Sequence, residues 1–308
     1  SAHPQDMTMD ARVDTNALNA TPSEAPPVNR AARGYWANVG RRLLRDRTSM
    51  VCAGILLLIF AAAILAPWLG LADPYKGSMI RRLRHLGTPG FPLGTDELGR
   101  DMIARLVYGG RLSLFIGISP VVIAFILATS LGLVAGYAGG KVNTAIMRTV
   151  DVLFAFPSVL LAIAISGVLG AGVVNSIVSL TIVFTPQIAR VAESVTTGVR
   201  NMDFINAARA SGAGAFAIIR AHVLGNVLGP IFVYATGLIS VSMILAAGLS
   251  FLGLGVKPPE PEWGLMLNTL RTAIYTNPWV AALPGAMIFT VSICFNLLSD
   301  GLRSAMDI

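Results

Sequence analysis

Long runs of apolar residues without a charged side chain dominate the sequence. A helix of about 20 residues, rising 1.5 Å per residue, crosses the roughly 30 Å hydrocarbon layer of a membrane. Six runs hold at least 18 residues each, which is enough for such a crossing. They lie at 51–70, 113–136, 152–170, 172–189, 229–253 and 280–299. The pattern therefore predicts an all-α polytopic membrane protein with six transmembrane helices.

Prolines and glycines within and beside these runs indicate where the helices bend and pack. Four prolines each remove a backbone donor, so each predicts a kink. They are Pro120, Pro157, Pro186 and Pro284. Gly132, Gly136 and Gly140 recur at four-residue spacing, which lets a neighbouring helix approach closely.

Composition and charge favour a membrane protein over a soluble domain. Apolar residues make up 54% of the 308 residues and charged residues only 13%, and the mean hydropathy is +0.69. Soluble domains carry about 25% charged residues. The net charge of +7 could suggest nucleic acid as a partner. The basic residues, however, lie beside the apolar runs, which favours contact with membrane lipid headgroups and predicts no nucleic-acid partner.

The segments outside the runs predict the domain organisation. Residues 1–34 are rich in proline and poor in large apolar groups, which predicts a disordered tail. Aromatic residues and arginines at 35–50 predict an interfacial helix, and 51–308 form the six-helix membrane domain. Its long connections are 71–112, 190–228 and 257–279.

The distribution of Lys and Arg predicts the orientation in the membrane. Of the 23 basic residues, 14 lie on the side of the N-terminus and 9 on the opposite side. Since cytoplasmic loops are enriched in Lys and Arg, both termini and the 190–228 loop are expected in the cytoplasm. The loops 71–112 and 257–279 are then expected outside.

Residues that could supply energy or catalysis are missing from the apolar runs. None of the six runs contains Asp, Glu, Lys, Arg or His, whereas ion-coupled carriers usually need such groups at membrane depth. The glycine-rich segment 135–142 fails as a phosphate loop, because Val142 stands where a hydroxyl is required. Cys52 and Cys294 lie singly in apolar runs. We therefore expect no enzyme, no cofactor and no metal site, and any energy for transport must come from partner proteins.

The segment 203–226 predicts a helix–turn–helix between the fourth and fifth runs. The first helix is expected to run to about Ser211, with Asp203 as its N-cap, and Gly212 opens the turn. Ala207 and Ala208 give this helix a small-residue surface that a partner protein can approach closely. The alternative is an ordinary amphipathic connector lying on the membrane.

Several motifs resemble one family of transport proteins. Ala207, Ala208 and Gly212 match the Glu-Ala-Ala…Gly loop of permeases in binding-protein-dependent ABC importers, while Asn206 replaces its Glu and Gly225 its Pro. Further matching segments resemble the second permease of the dipeptide/oligopeptide subfamily (the DppC/OppC type). These segments are 93–101, 249–255, 258–259, 262–264, 278–279 and 296–303.

The resemblance implies a type I ABC importer permease fold, similar to MetI, and a set of partners. These are a homologous permease subunit, two ATPase subunits that bind ATP and Mg²⁺, and an extracytoplasmic solute-binding protein. The docking residues for the ATPases would be Asn206, Ala207, Ala208, Arg209 and Gly212. Loss of the family's Glu and Pro leads us to expect weaker or reorganised anchoring of the loop.

The resemblance also implies peptide import across the bacterial cytoplasmic membrane. Dipeptides, longer peptides, nickel complexes and haem remain open as the solute. The alternative function is a stand-alone channel or an ion-coupled secondary transporter.

Two further groups of residues are candidates for function. Polar or flexible side chains within the runs must face something other than lipid, so they could line the solute path, or else mediate helix packing. They are Asn175, Thr185, Ser240, Ser242 and Met243. In the last long connection, Glu260, Glu262 and Trp263 are candidates for contact with the binding protein. We expect residues 263–274 to form a helix dipping into the outer leaflet, and 89–111 to form a short interfacial helix.

Overall fold

The computed structural model describes residues 28–306, with side chains from residue 37 onward. Most of the predicted tail, residues 1–27, therefore lies outside the described residues. The helices are α1 (Val28–Arg45), α2 (Arg47–Leu65), α3 (Met102–Ala138), α4 (Gly140–Phe154), α5 (Ser158–Leu169), α6 (Val173–Arg200), α7 (Asp203–Ala210), α8 (Ala215–Ile218), α9 (Leu224–Phe251), α10 (Trp263–Thr269) and α11 (Pro278–Ala305). A segment ending at Asn38 and a body beginning at Val39 form separate units.

The described chain contains five helices that are long and apolar enough to span a membrane, and one broken pair that brings the number to six. The five are Arg47–Trp68, α3, α6, the continuous helix Ala215–Phe251, and α11. The third predicted run, 152–170, is divided between α4 and α5, which meet at 87°. The prediction of an all-helical membrane bundle is thus confirmed, but this run is not one straight helix.

Proline explains the break between α4 and α5. Pro157 directly precedes α5 and has no N–H to donate, and a proline disfavours helical geometry in the residue before it. The other three prolines lie inside continuous helices.

Helix boundaries differ from the predicted segments where a side chain caps a helix. Asp46 ends the predicted interfacial helix 35–50 early, because its carboxylate accepts hydrogen bonds from the backbone of Thr48 and Ser49 and starts α2. Asp101 caps α3 in the same way, so the first long connection ends there and not at 112. The loop predicted at 190–228 is mostly helical, since α6 continues to Arg200.

Helices α3 and α6 share the most extensive helix contact in the described chain, and glycine allows their backbones to approach closely. A Cβ atom added to Gly132 would lie 2.5 Å from the Cβ of Ala192, and one added to Gly136 would lie 2.7 Å from the Cβ of Thr196. The predicted close packing is confirmed at these two positions. Gly140 has open space around it and takes no part in the contact.

The alternating direction of the helices places the connections at two ends of the bundle. The long-loop end carries 66–101 and 252–277, and the short-loop end carries 201–214. The two long connections touch each other, since the Tyr75 hydroxyl donates to the Glu260 carboxylate. Arg105 of α3 also joins them by donating to the carbonyl oxygens of Pro74 and Pro259.

Candidate functional site

The predicted helix–turn–helix forms at the short-loop end. Helix α7 ends before Ser211, Gly212 adopts a φ of +80°, and α8 starts at Ala215. Asp203 is not the N-cap, which corrects the sequence interpretation. Met202 has the extended geometry that a cap requires, and Asp203 is already helical in the first turn. Its negative charge still complements the N-terminal end of the helix dipole.

The helix–turn–helix is anchored in the core of the membrane bundle. Ile205 and Ile218 are fully buried and belong to the same apolar cluster as Phe184 of α6. The Arg209 guanidinium lies 5.4 Å from the ring centre of Tyr137, next to the end of α3. These contacts link α7 to Tyr137 of α3 and to the apolar cluster that contains Phe184 of α6.

The opposite face of this segment is open. Asn206, Ala207, Arg209 and Gly212 are exposed, and Ala208 is half-buried. Phe216 follows the turn with 77% of its surface exposed. We refer to residues 203–216 as the Asn206 loop. It combines a small-residue surface with an unpartnered aromatic ring, which is typical of a surface that receives another protein.

Gly225, which replaces the family's Pro, lies inside a continuous helix. A π-helical turn, Ile219–Val223, joins α8 to α9, so the helix continues through Gly225 without an end. Glycine retains the backbone donor that proline would lack. The Asn226 amide donates to the His222 carbonyl oxygen and adds one bond across this part.

The five residues predicted for a solute path are not brought together. Asn175 donates to the carbonyl oxygens of Leu169 and Gly170, closing the α5–α6 turn. Thr185 bonds back to the Thr181 carbonyl oxygen within α6.

On α9, the remaining three predicted residues divide between core and groove. Ser242 and Met243 are buried, and Met243 packs against Gly117. Ser240 lines a groove of about 640 Å³ between α9 and α11. Ser292 and Asn296 of α11 line the same groove. The sequence did not single them out, because an isolated polar residue in an apolar run does not show what its face of the helix will contact.

At the long-loop end, the structure separates the three residues predicted to meet a binding protein. Glu262 and Trp263 are buried, which corrects the expectation of a surface role, and Glu260 is exposed. The Glu262 carboxylate accepts hydrogen bonds from the backbone of Gly264 and Leu265, and from the Ser113 hydroxyl at 3.1 Å. Burial nevertheless raises the pKa of Glu262.

The helix predicted to dip into the outer leaflet packs inside the protein. The Trp263 indole donates to the Leu106 carbonyl oxygen at 2.9 Å, and Met266 and Leu270 fill the same cluster. Helical periodicity identified the apolar face correctly, but this face covers α3 and α11 and not lipid. Ile274, with 55% of its surface exposed, lies beyond α10.

The interfacial helix predicted at 89–111 is helical only from Met102, where α3 begins, and residues 93–101 instead form a buried ion network with Arg105. The Asp96 carboxylate accepts from Nε of Arg100 at 2.5 Å and from Nε of Arg105 at 3.1 Å. Gly94 and Gly99 both have positive φ values, so the backbone turns and does not form a helix. The motif is therefore a folded brace between the two long connections.

Comparison with known proteins identifies the family. The family described as binding-protein-dependent transport system inner membrane component matches residues 128–307, more than half of the chain. The chain belongs to this family. A second family, the N-terminal TM domain of oligopeptide transport permease C, matches residues 34–85. The resemblance of the motifs is thereby confirmed.

Curated relatives match most of this permease. It is 42% identical over 257 residues to the di/tripeptide transport system permease protein DppC of Pseudomonas aeruginosa strain UCBPP-PA14, covering 82% of this chain and 85% of the relative. It is 39% identical over 279 residues to the glutathione transport system permease protein GsiD of Pectobacterium atrosepticum, covering 91% and 93%.

A solved structure supports the fold of the permease. An inward-facing form of the MetNI methionine ABC transporter matches with a TM-score of 0.55 and 19% identity, covering 66% of this chain and 97% of that one. At this identity the likeness concerns the fold alone.

Proposed function

We propose that this chain is the permease subunit of an ABC importer for short peptides, driven by ATP hydrolysis in partner subunits. One observation carries the proposal: the Asn206 loop is open on one face and buried in the bundle core on the other. That arrangement suits a lever through which another protein moves the membrane helices. The chain itself then needs no catalytic site.

The coupling starts at the exposed face of α7. An ATPase subunit would seat its groove on Asn206, Ala207 and Ala208, with the Phe216 ring as an apolar anchor. When ATP closes the ATPases, α7 shifts. Ile205 then moves the α6 side of the bundle, and Arg209 moves the end of α3 through Tyr137. The solute path opens alternately to the two sides of the membrane.

Short peptides are the proposed solute class. A di/tripeptide permease and a glutathione permease are similar to this chain over most of its length, and glutathione is itself a tripeptide. The groove between α9 and α11 is the best-supported wall of the path, because it combines apolar walls with Ser240, Ser292 and Asn296. Such a wall can accommodate peptides with different side chains, because it requires no particular side chain for binding.

The proposed assembly contains a second, homologous permease, two ATPase subunits that hold ATP and Mg²⁺, and a solute-binding protein. The Asn206 loop and both termini face the cytoplasm, in the bacterial cytoplasmic membrane. The long-loop end, which carries exposed Glu260, faces outward toward the binding protein.

The decisive experiment measures uptake in proteoliposomes that contain the permease pair with and without the ATPase subunits. We expect accumulation of a labelled tripeptide only with ATPases, binding protein and internal ATP. Accumulation without ATPases, driven by an imposed ion gradient, would instead support a secondary transporter. Passive equilibration without ATPases would support a channel.

A further inference from the structure

Two cavities meet at a single arginine near the long-loop end. The first is a groove of about 510 Å³ between α2 and α3, with walls that include Phe60, Ile64, Leu114 and Ile118. The second, of about 380 Å³, is lined by Tyr75, Tyr108 and Glu260. Arg111 and Phe115 line both cavities, so the two adjoin at these side chains.

Arg111 lies where a lipid headgroup is expected. It is the last charged residue of α3 before the charge-free stretch that crosses the membrane. Trp68, with 77% of its surface exposed, ends the spanning part of α2 about one turn beyond Ile64, and exposed tryptophans mark the membrane interface.

The Arg111 guanidinium lacks an anion. Among the side chains that the structure describes, Arg111 forms no hydrogen bond or ion pair, and it is exposed. A planar guanidinium presents donors that match a phosphate oxygen pair. The phosphate of a phospholipid is the anion available at this depth.

The second cavity adds a carboxylate, Glu260, beside Arg111. The Tyr75 hydroxyl donates to one Glu260 carboxylate oxygen at 2.8 Å, and the other oxygen has no recorded partner within the described residues. That oxygen can accept from an ammonium group, and the rings of Tyr75 and Tyr108 favour a cation nearby. An anionic headgroup would be repelled, and a quaternary ammonium has no N–H to donate.

We propose that the composite cavity binds one phospholipid with a primary-amine headgroup, such as phosphatidylethanolamine. An acyl chain lies in the α2–α3 groove, the phosphate contacts Arg111, and the ammonium contacts Glu260. The bound lipid joins α2 and α3 to both long connections, through Tyr75 and Glu260. The inference requires that the chain is inserted in a membrane, and it does not depend on which solute the chain transports.

The test is native mass spectrometry of the permease purified with its partner subunits into nanodiscs of equal phosphatidylethanolamine, phosphatidylcholine and phosphatidylglycerol. We expect one phosphatidylethanolamine molecule per permease to survive detergent transfer, in preference to the other two lipids. Arg111→Gln should lower retention of every lipid about tenfold, and Arg111→Lys should lower it less. Glu260→Gln should abolish the preference for the primary amine while retaining lipid.

Arg271→Gln is the matched control, because Arg271 is exposed at the same end and lines neither cavity. Equal retention of the three lipids by the unaltered chain would overturn the proposal. So would an Arg111→Gln variant that behaves like the control, or a complex whose second permease covers the groove and leaves no lipid there. None of these results bears on ATP-driven uptake.

Discussion

Arg209 on the exposed side of α7 stacks over the ring of Tyr137, which belongs to the last turn of α3. A cation over an aromatic face contributes about 0.5–2 kcal/mol, depending on exposure. This contact joins the surface proposed to meet the ATPase directly to a membrane-spanning helix. Mechanical coupling can therefore be tested at one pair of side chains.

Arg209→Ala should lower peptide uptake per ATP hydrolysed about two- to tenfold, because α7 then moves without pulling α3. Arg209→Lys should retain part of the coupling, since the ammonium keeps a weaker contact with the ring. Uptake and hydrolysis are measured together in proteoliposomes. Arg220→Ala is the control, because Arg220 is also exposed and lies outside α7. Equal coupling in both alanine variants would contradict the proposed route.

Asn206→Glu should strengthen the binding of the ATPase subunits to the permease. Asn206 is exposed on α7, so the added carboxylate can pair with a basic group of the partner without disturbing the core. We expect the complex to survive a higher salt concentration during purification, since charge pairs at an interface are screened by salt. Asn201→Glu adds the same charge at an exposed position outside α7. If the complexes of the two variants survive the same salt concentration, the Asn206 loop needs no further anchoring.

The organisation of the bundle was predictable because membrane insertion imposes a simple rule on the sequence. Each spanning helix must be long and apolar, so the six runs could be counted directly. The turn at Gly212 was equally readable, because glycine at a positive φ commonly ends a helix. Gly132 and Gly136 indicated a close helix contact by spacing alone.

What the sequence could not reveal depends on which elements meet in space. The face containing Trp263 and Met266 is apolar whether it covers lipid or protein, and only the fold places it against α3. Asp96 and Arg100 lie four residues apart in the sequence, but only the fold shows that Arg105 and the first long connection enclose them. Pro157 breaks its span, while Pro186 lies within α6, which packs along α3.

Asp96→Asn should destabilise the long-loop end strongly. The change leaves the positive charges of Arg100 and Arg105 buried without the carboxylate charge of Asp96 to balance them. Breaking a buried ion pair costs about 3–5 kcal/mol. We expect the thermal midpoint to fall by roughly 10 °C. Asp73→Asn provides the comparison, because its partner Lys76 is exposed and such pairs contribute at most about 1 kcal/mol. Similar midpoints for the two variants would mean that the network is not a structural brace.

Glu262→Gln should change how stability depends on pH. Burial raises the pKa of Glu262 above its ordinary value of 4.5, so the folded protein holds a proton that the unfolded chain releases. The contribution of this group to stability is therefore greatest below pH 4.5 and decreases as the pH rises toward the folded pKa. Glutamine carries no charge, so the stability of the Glu262→Gln variant lacks this pH dependence. Its amide group replaces one hydrogen-bond acceptor at the N-terminus of α10 by a donor, and this effect is the same at every pH.

The measurement is the thermal midpoint of each variant from below pH 4.5 to neutral pH. The midpoint of Glu262→Gln relative to the unaltered chain should increase with pH, whatever its offset at the acidic end. A flat difference for Glu262→Gln would indicate that the hydrogen bonds from Gly264, Leu265 and Ser113 outweigh the desolvation of the carboxylate. In that case Glu262 would be an ionised cap of α10 in the folded protein.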